Sequence, residues 1–379
     1  MSRQDLGATR RIVIKLGTRV LTDADNTLDK GVVDRVAAQA GELVGRGIQV
    51  VMVTSAAIAV GLQRMGRVRR PREITLLQAA ASLGQSRLMH AYEQAFEQVG
   101  CRTAQILLTL DDIQDRAKYL NVRNTILTLW DVGAVPVINE NDAVSYAEII
   151  RFGDNDVLGA HIANMLDADV YLLLTDTDGV YDRDPRGDAD ARVIAELSEV
   201  TEQRIEAAGG TGSEQSSGGM QAKLRAARIA SKSGVGAIIA NGRTVDIAAV
   251  LSGETVGTYV APEGHRIRGK KKWIAFNPAV AGAVVVDEGG ERAIATGRKS
   301  LLPAGVVEIE GEFDMGSNVA IRNLRGEEIA RGLVNFTSEE LRRIRGLHTS
   351  RIGQVLQTDT YFDEVIHRDN MVAGEDLKL

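Results

Sequence analysis

Residues 135–156 read VPVINENDAVSYAEIIRFGDND. A short apolar run (Val135, Val137, Ile138) stops at Asn139-Glu140-Asn141-Asp142, and a second polar cluster, Gly153-Asp154-Asn155-Asp156, follows within a dozen residues. The run reads as a strand. Its abrupt polar end belongs at the carboxyl edge of an open α/β sheet, where such sheets bind ligands. Acids and amides packed this densely suit the recognition of a small polar ligand. The plainer alternative is a surface turn, which Asn and Asp also favour.

Working outward, the same pattern recurs. Over the first 260 residues, strand-like runs at 11–16, 48–53, 105–108, 135–138, 170–174 and 237–240 alternate with helical stretches at 30–45, 73–99, 121–129, 156–165 and 219–231. Near-continuous apolar strands between amphipathic helices predict a three-layer α/β/α sandwich with a mostly parallel sheet, covered on both faces. Four runs end in small or polar residues: Lys15-Leu16-Gly17-Thr18, Thr54-Ser55-Ala56-Ala57, Asn139-Glu140-Asn141-Asp142 and Thr175-Asp176-Thr177-Asp178-Gly179. Parallel strands bring those ends to one edge and assemble a site from distant sequence. Near residue 261 the pattern changes. Residues 261–272 (APEGHRIRGKKK) read as a basic, turn-prone linker. Short strands follow at 283–286, 306–310, 318–323 and 328–334, then a helix at 338–345 with Ser338 as its cap. The expected division is a catalytic domain over 1–260, a linker over 261–272, and a β-rich domain with its tail over 273–379.

Composition narrows the class. A chain of 379 residues holds two or three domains and can bury a sizeable core. A charged share of 25% and a net charge of -6 are ordinary for a soluble protein and argue against nucleic acid as the main partner. No apolar run approaches a membrane span, and MSRQDLGATRR at the start lacks the apolar region of a signal peptide. One cysteine, Cys101, cannot build a disulfide framework, and it reads as a buried structural thiol at the start of a strand. The five histidines show no zinc-like spacing. A reduced, cytoplasmic enzyme is the expectation.

Familiar nucleotide motifs are missing: there is neither G-x-x-x-x-G-K-[ST] nor G-x-G-x-x-G. His367-Arg368-Asp369 echoes a protein-kinase catalytic loop without its companions. Asp182-Arg183-Asp184 lacks the glutamate a calcium loop needs at its twelfth position, which is Val193. What remains is a dispersed phosphate-handling pattern. Lys15 lies within an apolar β-run and must be paired or solvated to be tolerated there. Gly17-Thr18 follows, a small turn that lets backbone approach an anion. Ser216-Ser217-Gly218-Gly219-Met220-Gln221-Ala222-Lys223 reads as a glycine-rich start of a helix, where free amides and the dipole bind phosphate. Lys223 lies one turn further on.

These segments resemble the amino acid kinase superfamily: VIKLGT at 13–18, VTSAAIAVG at 53–61, VPVINENDAV at 135–144, FGDNDVL at 152–158, LLLTDTDGVY at 172–181 and SSGGMQAK at 216–223. VDEGGERAI at 286–294 and SLLPAGV at 300–306 resemble a PUA domain, a small β-rich pseudobarrel. Within the superfamily the likeness is greatest to the enzymes that phosphorylate the γ-carboxylate of L-glutamate with ATP, the first step of proline biosynthesis. A sibling kinase for another small acid, or an RNA-binding protein on a kinase scaffold, are the alternatives. The resemblance implies that Lys15 and Lys223 flank the transferring phosphoryl group and that Asp156 orients both, although Asp156 could equally cap the helix that follows. It implies that Ser55, Asp142 and Asn155 hold glutamate, with Asn139 in support. Nucleotide binding falls to Lys15, Gly17, Thr175, Asp176 and the stretch Ser217, Gly218, Gly219, Met220, Gln221, Ala222 and Lys223. Mg²⁺ would ride on the ATP phosphates, with no protein ligand assigned. Proline as a feedback inhibitor, a homodimer or homotetramer, and a glutamyl phosphate reductase as partner are also implied.

The chain departs from the family at Ala56, where Ser-Gly-Ala-Ile is usual. An alanine there costs roughly 1 kcal/mol if φ must be positive. Ser216-Ser217 replaces the usual Gly-Thr and keeps a hydroxyl. Two basic patches, Arg64, Arg67, Arg69, Arg70 and Arg72, and Lys270 to Lys272, read as solvated, oligomer-facing or effector-facing surface in an acidic chain.

Overall fold

The computed structural model describes residues 2–67, 69–145, 154–185, 187–188, 190–208, 214–263, 270–277, 279–295 and 299–373. The chain divides into two units, Met1–Glu263 and Gly264–Leu379.

In the first unit the apolar runs become β1 (Arg11–Leu16), β2 (Gln49–Val53), β3 (Arg102–Leu108), β4 (Ala134–Glu140), β5 (Val170–Thr175) and β7 (Gly236–Asn241). Two short strands, β6 (Glu196–Leu197) and β8 (Thr258–Val260), complete an eight-stranded sheet in the order β3-β4-β2-β1-β5-β7-β8-β6. All pairings from β3 to β7 are parallel, and only β8 meets β7 antiparallel. The sheet grows to one side of β1 through β2 and to the other through β5. That makes the carboxyl end of β1 the point where the topology switches, and a crevice opens at such a point. The register aligns the ends: Lys15 lies opposite Val53 and Leu173, and Val53 opposite Ile138.

Helices cover the sheet because their apolar residues recur at helical spacing. In α2 (Lys30–Gly45), Val32, Val33, Val36, Ala37, Ala40 and Leu43 are buried, and the Asp29 carboxylate caps the start by accepting from the Val32 N–H at 3.2 Å. The short α1 (Thr18–Leu21) follows β1 directly. α3 (Ala57–Arg64) and α4 (Ile74–Glu97) pack backbone to backbone at Gly61 and Gly84. A Cβ at Gly61 would lie 1.7 Å from the Ala80 carbonyl, and one at Gly84 1.9 Å from that of Ala57. The core joins Ile12, Ile14, Leu16, Met52, Leu88, Tyr92 and Phe96 between sheet and helices.

Several boundaries differ from the sequence reading. The stretch expected at 121–129 is α6 (Arg116–Asp131), which follows α5 (Leu110–Gln114) and starts at Asp115, whose carboxylate accepts from the Lys118 N–H at 2.9 Å. Cys101 precedes β3 and is only partly buried against the core; burial still pushes its thiol up. α7 (Asp154–Met165) starts two residues earlier than expected, so Asp156 lies inside its first turn and does not cap it. α8 (Glu202–Ala207) precedes α9 (Glu214–Lys232), which begins five residues before Gly219. The expectation that the Gly218-Gly219 pair opens this helix is corrected: both lie inside it, beyond the first turn where amides are unpaired. α10 (Ile247–Leu251) closes this set.

The second unit starts with α11 (Lys270–Phe276), so Lys270 to Lys272 belong to a helix rather than a linker; residues 264–269 lie outside the described residues. Its sheet has the order β10-β9-β11-β12-β13, from β9 (Ala283–Val286), β10 (Val306–Glu310), β11 (Asn318–Arg322), β12 (Glu328–Leu333) and β13 (Met371–Ala373). α12 (Glu288–Ala295) was not anticipated, since its Gly289-Gly290 pair reads as a turn. The cap of α13 (Ser338–Ile344) is Thr337 and not Ser338: the Glu340 N–H donates to the Thr337 hydroxyl at 3.2 Å and the Thr337 N–H to the Glu340 carboxylate at 2.9 Å. Ser338 is buried and donates to Glu312 at 2.7 Å. α14 (Ile352–Leu356) follows it. Among the described residues no helix is long and apolar enough to cross a membrane.

Candidate active site

Lys15, one residue before the end of β1, is 5% exposed, and its ammonium lies 2.5 Å from Oδ1 of Asp156, itself 2% exposed. From the other side Lys223, on α9, places its Nζ 3.7 Å from Asp156 Oδ2. One carboxylate thus divides its oxygens between two lysines that sequence separates by more than two hundred residues. Burial alone would raise the Asp156 pKa, but Lys15 and Lys223 outweigh it and hold the carboxyl below the usual range. Two lysines against one carboxylate leave positive charge in a buried place, which suits an anionic ligand. The Lys223 ammonium also donates to the Gly219 carbonyl at 3.2 Å. A Cβ at Gly219 would lie 3.8 Å from that ammonium and one at Gly17 3.9 Å from that of Lys15, so a side chain at either position would lie against a cation.

A second, amide-rich cluster adjoins through Asn155, the neighbour of Asp156. Asn155 Nδ2 donates to Asn139 Oδ1 at 3.1 Å and to the Ser55 hydroxyl at 3.3 Å. Asn139 is the penultimate residue of β4, Ser55 follows β2, and both are buried. Asp142 is buried in the turn after β4, where the Ser145 N–H returns to the Asn141 carbonyl at 3.0 Å. The neighbouring Glu140 is buried as well and accepts from the Ser145 hydroxyl at 2.7 Å.

A third cluster caps β5. The Thr175 hydroxyl donates to Asp176 at 3.1 Å, and Arg19 lies 3.3 Å from the same carboxylate. Burial opposes ionisation of Asp176, yet its own backbone amide, Thr175 and Arg19 hold its carboxyl low. The Gly17 N–H donates to the Leu174 carbonyl at 3.0 Å, tying this end to that of β1.

The structure therefore brings together Lys15, Asp156 and Lys223 in one group and Ser55, Asn139 and Asn155 in another. Met220 and Gln221 are half-buried and Ala222 is buried along α9. The side chain of Ser217, and residues 146–153 of the opening motif, lie outside the described residues. Of the basic patch, Arg64 donates to the Leu83 carbonyl at 3.2 Å. Ala56 has φ 81° and ψ 0°, the left-handed conformation, and turns the chain from β2 into α3. The strain expected of an alanine in the family's glycine position is present.

Sequence reasoning missed three supporting residues. Gln85 on α4 accepts from Asn139 Nδ2 at 2.7 Å. Tyr171 on β5 donates to the Asp156 carbonyl at 2.7 Å, its ring accommodated by Gly159. Burial, and secondarily Asp156, push its phenol up. Arg19 is the third. Each looks like ordinary helix or core in the sequence, and no motif marks them.

A buried carboxylate shared between a lysine near the end of the switch-point strand and a second lysine on a helix is the arrangement of a phosphate-handling α/β enzyme. Residues 10–241 match the sequence model of the amino acid kinase family and residues 282–356 that of the PUA domain. The chain belongs to the amino acid kinase family. It is 47% identical over 373 residues to the glutamate 5-kinase of Azoarcus sp. (strain BH72), covering 98% of this chain and 99% of the relative. It is 46% identical over 369 residues to the glutamate 5-kinase of Geobacter sulfurreducens, covering 97% and 98%. Among solved structures, carbamate kinase from Giardia lamblia bound to AMP-PNP aligns with a TM-score of 0.48 at 18% identity, covering 67% of this chain and 99% of that one.

Proposed function

We propose that the protein transfers the γ-phosphoryl group of ATP to the γ-carboxylate of L-glutamate, giving L-glutamyl 5-phosphate and ADP at the head of proline biosynthesis. The observation that carries this reading is the buried Lys15–Asp156–Lys223 group directly beside the Ser55–Asn139–Asn155 cluster. A carboxylate acceptor is ionised at neutral pH, so the attack needs no general base. Catalysis reduces to holding two anions in line and offsetting charge on a loose transition state. Lys15 and Lys223 supply the positive charge. Asp156 fixes their positions and, its carboxyl held below the usual range, leaves the protons on both lysines.

On this reading Asp142 pairs with the α-ammonium of glutamate while Ser55 and neighbouring backbone amides take the α-carboxylate. Thr175 and Asp176 serve the nucleoside, and α9 from Ser217 to Lys223 the phosphates. Bound with ATP, Mg²⁺ would supply charge neutralisation, with no ligand from the described residues assigned to it. The enzyme works in the cytoplasm as a homodimer or homotetramer, is inhibited by proline at or near the glutamate site, and passes its product to a glutamyl phosphate reductase. Added proline is expected to lower turnover competitively with glutamate, and light scattering reads the assembly.

The test is substitution of the lysines. Lys15→Met and Lys223→Ala are each expected to lower kcat by about 10²-fold or more, the scale for losing one preorganised charge stabiliser, with circular dichroism unchanged. Either variant turning over at a near-normal rate would remove the assigned roles.

A further inference from the structure

We propose that Gln85 is a positioning residue that fixes, through Asn139 and Asn155, an acceptor for the α-ammonium of the substrate. The inference rests on reading the site as glutamate-binding. Gln85 is half-buried on α4, which Gly84 holds tight against α3 because it has no room for a side chain against Ala57. Its Oε1 accepts from Asn139 Nδ2 at 2.7 Å. That bond turns Asn139 so that its Oδ1 faces Asn155 and accepts from Asn155 Nδ2 at 3.1 Å. The same nitrogen donates to Ser55 Oγ at 3.3 Å, so both hydrogens of the Asn155 amide are committed. What Asn155 has left is Oδ1, an acceptor that is fully buried and has no hydrogen-bond partner among the described residues. An unpaired buried carbonyl is costly, and a ligand that brings a donor relieves it. Glutamate ionised at neutral pH has one donor group, its ammonium. Asn155 therefore meets the ammonium and not the α-carboxylate, its amide hydrogens being committed, and the polarity of the relay is set from outside the pocket by Gln85.

Steady-state kinetics on the full-length enzyme, with glutarate as a competitive probe, test this. Glutarate has both carboxylates and no ammonium. Gln85→Met is expected to raise the glutamate KM by about tenfold, the scale of one lost hydrogen bond in a buried network, with kcat within about twofold and the glutarate inhibition constant nearly unmoved. Gln85→Glu, whose carboxylate can accept but not donate, restores most of the lost affinity. The inference is overturned if Gln85→Met leaves KM unchanged or weakens glutarate as much as glutamate. It is equally overturned if Gln85→Glu is as poor as Gln85→Met, because the opposite polarity needs a donor there. A wild-type enzyme that does not turn over glutamate overturns the parent reading as well. An active wild type with any of those variant results overturns the inference alone.

Discussion

Asp156 is the residue on which the site's electrostatics depend. Its carboxyl is held below the ordinary value of about 3.9, so its stabilising contribution is full above that pH and is lost as pH falls through the depressed native value. Asp156→Asn leaves two lysines in a buried place without a counter-charge, which costs about 3–5 kcal/mol at neutral pH. Denaturant titrations are expected to show that deficit at pH 7 and a shrinking gap below about pH 4; a gap that widens in acid would mean the carboxyl is not held low. Ala56 poses a question of competing terms. Relief of left-handed strain in Ala56→Gly gains about 1–2 kcal/mol, but the lost buried methyl costs about 0.8 kcal/mol and the freer unfolded chain about 0.4–1 kcal/mol. Stability should change little, and the effect should appear in kinetics as a lower glutamate KM. Unchanged KM and kcat would show that Ala56 has not reshaped the pocket. Lys15 was legible in the sequence because a charge inside an apolar strand demands a partner. Gln85 was not, because its role comes from a contact with Asn139 made 54 residues away in sequence.

At the level of elements, the crossing of α3 and α4 sets where Ser55, Ala56 and Gln85 sit. With Gly84 against the Ala57 carbonyl, Gly84→Ala must push two helix backbones apart, at a cost of about 3 kcal/mol or more. For a unit of this size that is a drop in melting temperature of roughly 6–12 °C, together with a raised glutamate KM. A variant that melts like wild type would contradict the close crossing. Strand identities were readable from apolar runs, but their lengths were not: β3 extends to Arg102 because Arg102 pairs opposite Ala134, a partner outside local sequence. The edge strands β6 and β8, of two and three residues, are too short to carry a period. At α9 the glycines read as a helix start, whereas the helix begins at Glu214; glycine's weak helix propensity, about 1 kcal/mol below alanine, is overridden by the rest of the segment.

Across the whole molecule, every residue assigned to the reaction belongs to the unit Met1–Glu263. A chain ending at residue 263 is therefore expected to keep glutamate-dependent ATP turnover within a few-fold of the full chain; loss of all turnover from a folded fragment would place part of the chemistry in the second unit. The two-unit plan was legible as the shift from long α/β alternation to short close-set strands, while α12 was hidden by its paired glycines. The central claim concerns what that first unit phosphorylates. The most direct test is ATP consumption by the full-length enzyme with L-glutamate, L-aspartate, N-acetyl-L-glutamate or carbamate at equal concentration, with hydroxylamine trapping of any acyl phosphate. The account predicts turnover with L-glutamate and formation of glutamyl hydroxamate, with the other acids at least about 10²-fold poorer in kcat/KM. Faster turnover of any other acid, or none with glutamate, would contradict it.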